Sequence, residues 1–298
     1  MTIKLANLIF LTANFLLEGM TGVLANDFSN SRLTSILASG ELHAGTRAFA
    51  PPFAVRQDNG EFSGFSVDIL KIITESLSQR FDKKLNLKIS EVTSGNRIPA
   101  VSSGDVDIVC GLTTVTWPRE KTIDFSVPFF VDGTRILVRR GKTTKSLNSL
   151  RGASVGVVGS TTTADILKNS LKDVELVVFE NFDKAMQSFV AGRIDGVANI
   201  GVFLANKQKE NGGEFSMEII PRDRSLKSEN LACILPQDDS IFRDAVNFAL
   251  TQSFKDIDSF GGQYMDIYLK WFGRDGTVNF PISEEHRALL TGSRIWID

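Results

Sequence analysis

Apolar and polar positions along this chain alternate in blocks that switch between a period of two and a period near 3.6, the marks of strands and helices. Asp27 to Ser39 (DFSNSRLTSILAS) reads as a polar lead into a short helix, which Gly40 ends. Glu41 to Thr46 (ELHAGT) follows as a strand, with Arg47 at its end and Pro51-Pro52 forbidding regular pairing beyond it. Gln57 to Ser63 has the composition of a hairpin turn. DILKIITESLSQRF, opening at Gly64-Phe65, is an amphipathic helix that Ser66 or Asp68 is placed to cap. Leu85 to Glu91 alternates as a strand, Arg97 opens a short helix ended by Gly104, and Val106 to Cys110 is a compact apolar strand. Trp117 to Glu120 opens a turn or short helix.

Thr134 to Arg139 is strand-like and serves as a first crossing, after which the pattern restarts. Ala153 to Val158 is a strand. The hydroxyl-rich turn Gly159-Ser160-Thr161-Thr162-Thr163 leads from it into a helix. Strands at Glu175 to Phe179, Gly196 to Asn199 and Phe215 to Ile220 enclose helices at Asn181 to Ala191 and Val202 to Lys209. Leu231 to Leu235 is a second apolar strand, the return crossing; two amphipathic helices follow, then a polar, weakly patterned tail after Gly273. Two βα-rich blocks joined by strand-like connections predict an α/β chain of two lobes.

Composition narrows this only slightly. The 298 residues suffice for one large domain or two smaller ones, and a net charge of −2 gives no reason to expect nucleic acid or an anionic membrane as partner. The N-terminus stands apart. Lys4 precedes the apolar run LANLIFLTANFLL, a polar break comes at Glu18, and compact Val23 and Ala25 precede a cleavage site. Residues 1–25 are therefore expected to be a secretory signal, with the mature chain starting near Asn26. The absence of a cysteine near that cut argues against a lipoprotein. Cys110 and Cys233 are the only cysteines; in an exported chain they suit one disulfide, and two buried free thiols are the alternative.

Enzyme signatures fail. No Cys/His cluster has zinc spacing, no G-x-S-x-G elbow occurs, and Gly152, Gly156 and Gly159 are spaced wrongly for a dinucleotide site. No catalytic residue, metal or cofactor is expected. The chemistry present is a set of donors where strands end: Arg47; Ser94 with Arg97; Thr113 and Thr114 with Arg119; and Ser160, Thr161 and Thr162. Guanidinium groups hold carboxylates in a planar fork, and hydroxyls and helix-start N–H groups add donors. The inventory suits a small anionic ligand.

Gly64-Phe65-Ser66-Val67-Asp68, Thr93 through Pro99, Cys110-Gly111-Leu112-Thr113-Thr114 with Arg119, Phe125-Ser126 with Pro128-Phe129, and Gly152 through Thr162 resemble the periplasmic solute-binding proteins of polar amino-acid ABC transporters. Within that family, bacterial extracellular solute-binding proteins of family 3, the chain is most similar to the glutamate/aspartate binders. The resemblance covers about Leu33 to Phe272. It implies a two-lobed periplasmic-binding-protein fold of type II, with two crossing strands as hinge and the ligand in the cleft between lobes. Lobe 1 would be 27–136 plus 230–298, and lobe 2 would be 137–229. It further implies a periplasmic monomer that closes on its ligand and is read by membrane permease subunits. Arg119 and Thr114 would hold an α-carboxylate with the Ser160-Thr161-Thr162 turn, and Arg47, Ser94 and Arg97 a side-chain carboxylate.

Three positions depart from the subgroup. An aspartate that pairs with the ligand's ammonium is matched by Ile200, a serine by Leu112 and a histidine by Phe182. Two ligand classes follow: a dicarboxylate or keto acid without an α-ammonium, or an acidic amino acid whose ammonium is accepted by Asn199, a backbone carbonyl or water. A sensory ligand-binding module is the remaining alternative.

Overall fold

The computed structural model describes residues 30–141, 147–211, 217–221 and 224–294; the expected signal segment lies outside the described residues. Two sheets carry the chain. The first has five strands in the order β5 (Asn86–Glu91), β1 (Glu41–Thr46), β6 (Ile108–Val109), β14 (Ile234–Leu235) and β7 (Asp124–Phe125). The second has six, β10 (Glu175–Phe179), β9 (Ser154–Val158), β11 (Gly196–Ile200), β8 (Phe130–Arg139) and β12 (Met217–Ile220), with β13 (Ser228–Leu231) joined to β8. In the first, β1 (Glu41–Thr46) lies between β5 (Asn86–Glu91) and β6 (Ile108–Val109), parallel to both. A three-stranded ribbon of β2 (Phe49–Ala50), β3 (Ala54–Arg56) and β4 (Phe62–Ser63) intervenes, so the hairpin expected at Gln57 to Ser63 forms.

Helix α1 (Arg32–Ser39) is capped by Ser31 and closed by Gly40 in the left-handed conformation. Helix α2 (Phe65–Arg80) is not capped by Ser66 or Asp68 as expected. It starts at Gly64, where φ is +140° and an added Cβ would lie 2.2 Å from the Phe53 carbonyl oxygen. Asp68 instead accepts from Lys270 Nζ at 2.7 Å and Trp271 Nε1 at 2.8 Å, pinning the C-terminal helices to α2. Helices α3 (Arg97–Ser102) and α4 (Trp117–Glu120) follow, the second just before β7 (Asp124–Phe125).

Strand β8 (Phe130–Arg139) is the crossing. Its first four residues pair with β13 (Ser228–Leu231), and Thr134 to Val138 pair with β11 (Gly196–Ile200) in the second sheet. That sheet also holds β9 (Ser154–Val158), β10 (Glu175–Phe179) and β12 (Met217–Ile220), with helices α5 (Thr162–Ser170), α6 (Phe182–Val190) and α7 (Gly201–Glu210) between strands. From β13 the chain returns to the first sheet through β14 (Ile234–Leu235), antiparallel to β6 and β7. Cys110 and Cys233 form a fully buried disulfide beside the β6–β14 contact.

Helices α8 (Ser240–Ser253) and α9 (Gly262–Phe272) close the first sheet. The polar, weakly patterned tail contains a further helix, α10 (Glu284–Ser293), capped by Ser283. Its buried face carries only His286 and Leu290, too few for an apolar period to show. His286 meets the Phe130 ring at 4.8 Å and lies 2.9 Å from the Tyr264 hydroxyl, which donates to the Phe129 carbonyl.

Burial lowers the His286 pKa to about 4, partly offset by the Phe129 carbonyl. Between about pH 4 and 6.5 the unfolded chain therefore binds the proton that the folded chain refuses, and this contribution to stability is lost as pH falls. From pH 7 to 5 the wild type is expected to lose about 2 kcal/mol relative to a His286→Leu protein, read by denaturant melts at both pH values. Asp132, raised to about 7 mainly by burial, acts in the opposite sense and is common to both proteins. Equal pH slopes would contradict the assignment.

Candidate functional site

In parallel sheets, ligand groups gather beyond the carboxyl ends of the strands, where chain direction and helix starts converge. Here both sheets aim those ends at one cleft. Arg47 follows β1, Ser94 and Arg97 follow β5, and Leu112 and Thr114 follow β6. From the other side Thr161 and Thr162 follow β9, while Asn199 and Ile200 end β11. These residues line one cavity with Arg119, Phe182 and Phe203.

The arginines are held in place by local bonds. Arg47 Nη1 donates to Ser94 Oγ at 2.9 Å. Arg97 donates through Nε to Thr113 Oγ1 at 3.1 Å and through Nη1 to the Ser94 carbonyl. Arg119 Nη1 donates to the Thr114 carbonyl at 2.6 Å. Thr113 thus stands behind Arg97 as its support, outside the cavity wall, and Ser160 lies at one mouth rather than in the centre. Thr161 caps α5, accepting from the Ala164 N–H.

None of the three arginines has an ion pair among the described residues; Glu91 and Asp183 act on Arg47, and Glu229 and Asp165 on Arg119, only from longer range. Arg97 is 4% exposed. Burial, then Arg119, then Arg47 lower its pKa to about 9. A cluster of buried like charges that no carboxylate pairs directly is unstable by several kcal/mol, and an anion entering the cavity relieves it.

The apolar part of the wall is Leu112, Val158, Ile200, Leu231 and the Phe182–Phe203 pair, whose ring centres are 4.9 Å apart. Asn199 Oδ1 accepts from the Ile200 N–H at 2.9 Å, which occupies part of its acceptor capacity. The start of α7 does receive a carboxylate, but from β8: Asp132 accepts from the Val202 N–H at 2.6 Å.

Sequence reasoning missed Glu229. It is 2% exposed and accepts from Thr114 Oγ1 at 2.9 Å, Thr134 Oγ1 at 2.7 Å and Thr162 Oγ1. The signal was short: only Glu229 and Leu231 alternate with exposed Ser228 and Asn230, and the strand was expected to begin at Leu231.

The model of the bacterial extracellular solute-binding proteins, family 3, matches residues 42–274. The chain belongs to this family. A glutamate/aspartate import solute-binding protein of Salmonella typhimurium is 27% identical over 94% of this chain and 95% of its own length. An ABC transporter glutamine-binding protein of Bacillus subtilis is 27% identical, covering 87% of this chain and 90% of that protein. Among solved structures, an ancestral arginine-binding protein bound to arginine superimposes with a TM-score of 0.69 at 32% identity, over 78% of this chain and 99% of that one. An ancestral amino acid-binding protein that is a precursor of cyclohexadienyl dehydratase gives 0.71 at 29% identity, over 81% and 99%. The solute-binding fold of type II, with a ligand cleft between two lobes, is thus the fold of this chain.

Proposed function

We propose that this solute-binding protein captures an acidic amino acid of the glutamate or aspartate type, outside the cytoplasm, for an ABC permease, and does so without chemical turnover. The observation that carries the reading is the trio Arg47, Arg97 and Arg119, buried or half-buried around one cavity with no ion-paired carboxylate among the described residues. Two carboxylates on one small molecule would neutralise most of that charge. The aliphatic stem between them would lie against Leu112, Phe182, Ile200 and Phe203. Relatives named for glutamate and aspartate support the assignment.

Ligand bridging the walls would shift the population toward a closed form that a permease reads. We place the lobes at 27–136 plus 230–298 and at 137–229, with β8 and β13 as the connection, and take the protein to be a periplasmic monomer released from its signal segment.

A second reading, a dicarboxylate or keto acid, is favoured by the apolar Leu112, Ile200 and Phe182. A melting screen tests the anionic class. Glutamate, aspartate or glutarate at about a hundred times its Kd is expected to stabilise the protein by about 2.7 kcal/mol. Lysine and arginine should leave it unchanged. Stabilisation by arginine alone would overturn the proposal.

A further inference from the structure

Glu229 decides which protons the corner beside Arg119 can offer. Its Oε1 is bonded to both Thr114 Oγ1 and Thr162 Oγ1, and those two hydroxyl oxygens lie 3.1 Å from each other. Each hydroxyl has a single proton. Three oxygens in mutual contact therefore share two protons, and the arrangement of lowest repulsion uses both on Glu229. Thr134 donates a third proton to Oε2. Thr114 and Thr162 then face the cleft with lone pairs, not donors. A carboxylate has about four acceptor sites; three are filled and one is open.

The mouth that Glu229 lines shares Thr114, Arg119 and Thr162 with the central cavity. Two other acids line that mouth, Asp165 and Glu285, and both are exposed. Asp132, the cross-strand neighbour of Glu229, is occupied by the N–H groups of Gly133 and Val202. The buried acid at the junction with the cavity is Glu229.

We propose that Glu229, with the lone pairs of Thr114 and Thr162, is the ammonium acceptor of this cleft, which makes the ligand an acidic α-amino acid and not a dicarboxylate. The proposal rests on the anionic-ligand reading above. Donors on Arg119 beside acceptors on Glu229 match the head of an α-amino acid, where carboxylate and ammonium share one carbon. Such a head directs the side-chain carboxylate toward Arg97 and Arg47. A ligand without the ammonium leaves its carboxylate against Glu229, with like charges apposed and no proton between them. Glu229 thus does from the hinge strand what Ile200 and Leu112 cannot do from the walls.

Titration calorimetry with glutamate and glutarate, which differ by the ammonium alone, tests this on wild type and Glu229→Gln. The wild type is expected to bind glutamate at least a hundredfold tighter than glutarate. Glu229→Gln is expected to lose glutamate affinity at least tenfold while glutarate binding holds or improves, so the ratio collapses. Equal weakening of both ligands would show Glu229 acting only as a brace between the lobes and would overturn the proposal. Glutarate binding the wild type as tightly as glutamate would overturn it too, while leaving the anionic reading intact; that comparison needs no variant to fold. Binding of neither would remove the anionic reading itself and this inference with it.

Discussion

An Arg97→Met protein is expected to melt above the wild type without ligand and to lose more than a hundredfold in ligand affinity. The two effects have one cause. Arg97 lies buried beside two other guanidiniums, and its pKa falls from the ordinary guanidinium range to about 9. That difference corresponds to about 5 kcal/mol held against the folded state, fully present below about pH 9 and relieved as pH rises through it. Methionine removes the charge but also the bonds to Thr113 and the Ser94 carbonyl, together worth about 3 kcal/mol. The balance is a gain of about 2 kcal/mol, or several degrees in Tm for a chain of this size. Removing one partner of a desolvated charge pair costs 2–5 kcal/mol in binding, roughly, and 3 kcal/mol is already over a hundredfold. A destabilised variant with intact binding would show that Arg97 is a structural residue.

Loss of the Cys110–Cys233 bond is expected to destabilise the protein by about 5 kcal/mol, by the loop-closure estimate. The bond closes a loop with a sequence separation of 123 residues, and that loop contains the second sheet from β9 through β12. It fixes the two points at which the chain leaves and re-enters the first sheet. The effect is to be read by comparing denaturant midpoints of the wild type and a Cys110→Ala/Cys233→Ala protein. A difference under about 1 kcal/mol would mean that the unlinked chain already holds those points together.

The elements most legible in the sequence were those whose burial is continuous or strictly alternating. Strand β1 begins and ends where the pattern of ELHAGT placed it. The glycine stop of α1 was also readable, because an αL position leaves few other residues. Caps that depend on distant partners were not. Asp68 has the composition of an N-cap, but Lys270 and Trp271, some two hundred residues on, claim its carboxylate. Helix α10 is held by a histidine inserted among aromatic rings, and no hydropathy period reports that.

The cavity shows the same division. Arg47, Ser94, Arg97, Thr114, Arg119, Thr161, Thr162 and Asn199 could be gathered because each stands at or just beyond a strand end or at a helix start, and all line it. Thr113 was included for its neighbours, and its side chain turns the other way, onto Arg97. Glu229 was not legible because the return strand was expected only from Leu231, whereas pairing with β8 begins at Ser228. Its burial follows from hydroxyls contributed by Thr114, Thr134 and Thr162, which lie far from it in sequence.

The most direct test of the central claim is calorimetric titration of the wild type with glutamate and with glutamine at neutral pH. The two ligands match in shape and differ by one carboxylate. If the arginine trio exists to receive a second negative charge, glutamate binds at least a hundredfold tighter. Glutamine binding equally or more tightly would contradict the account.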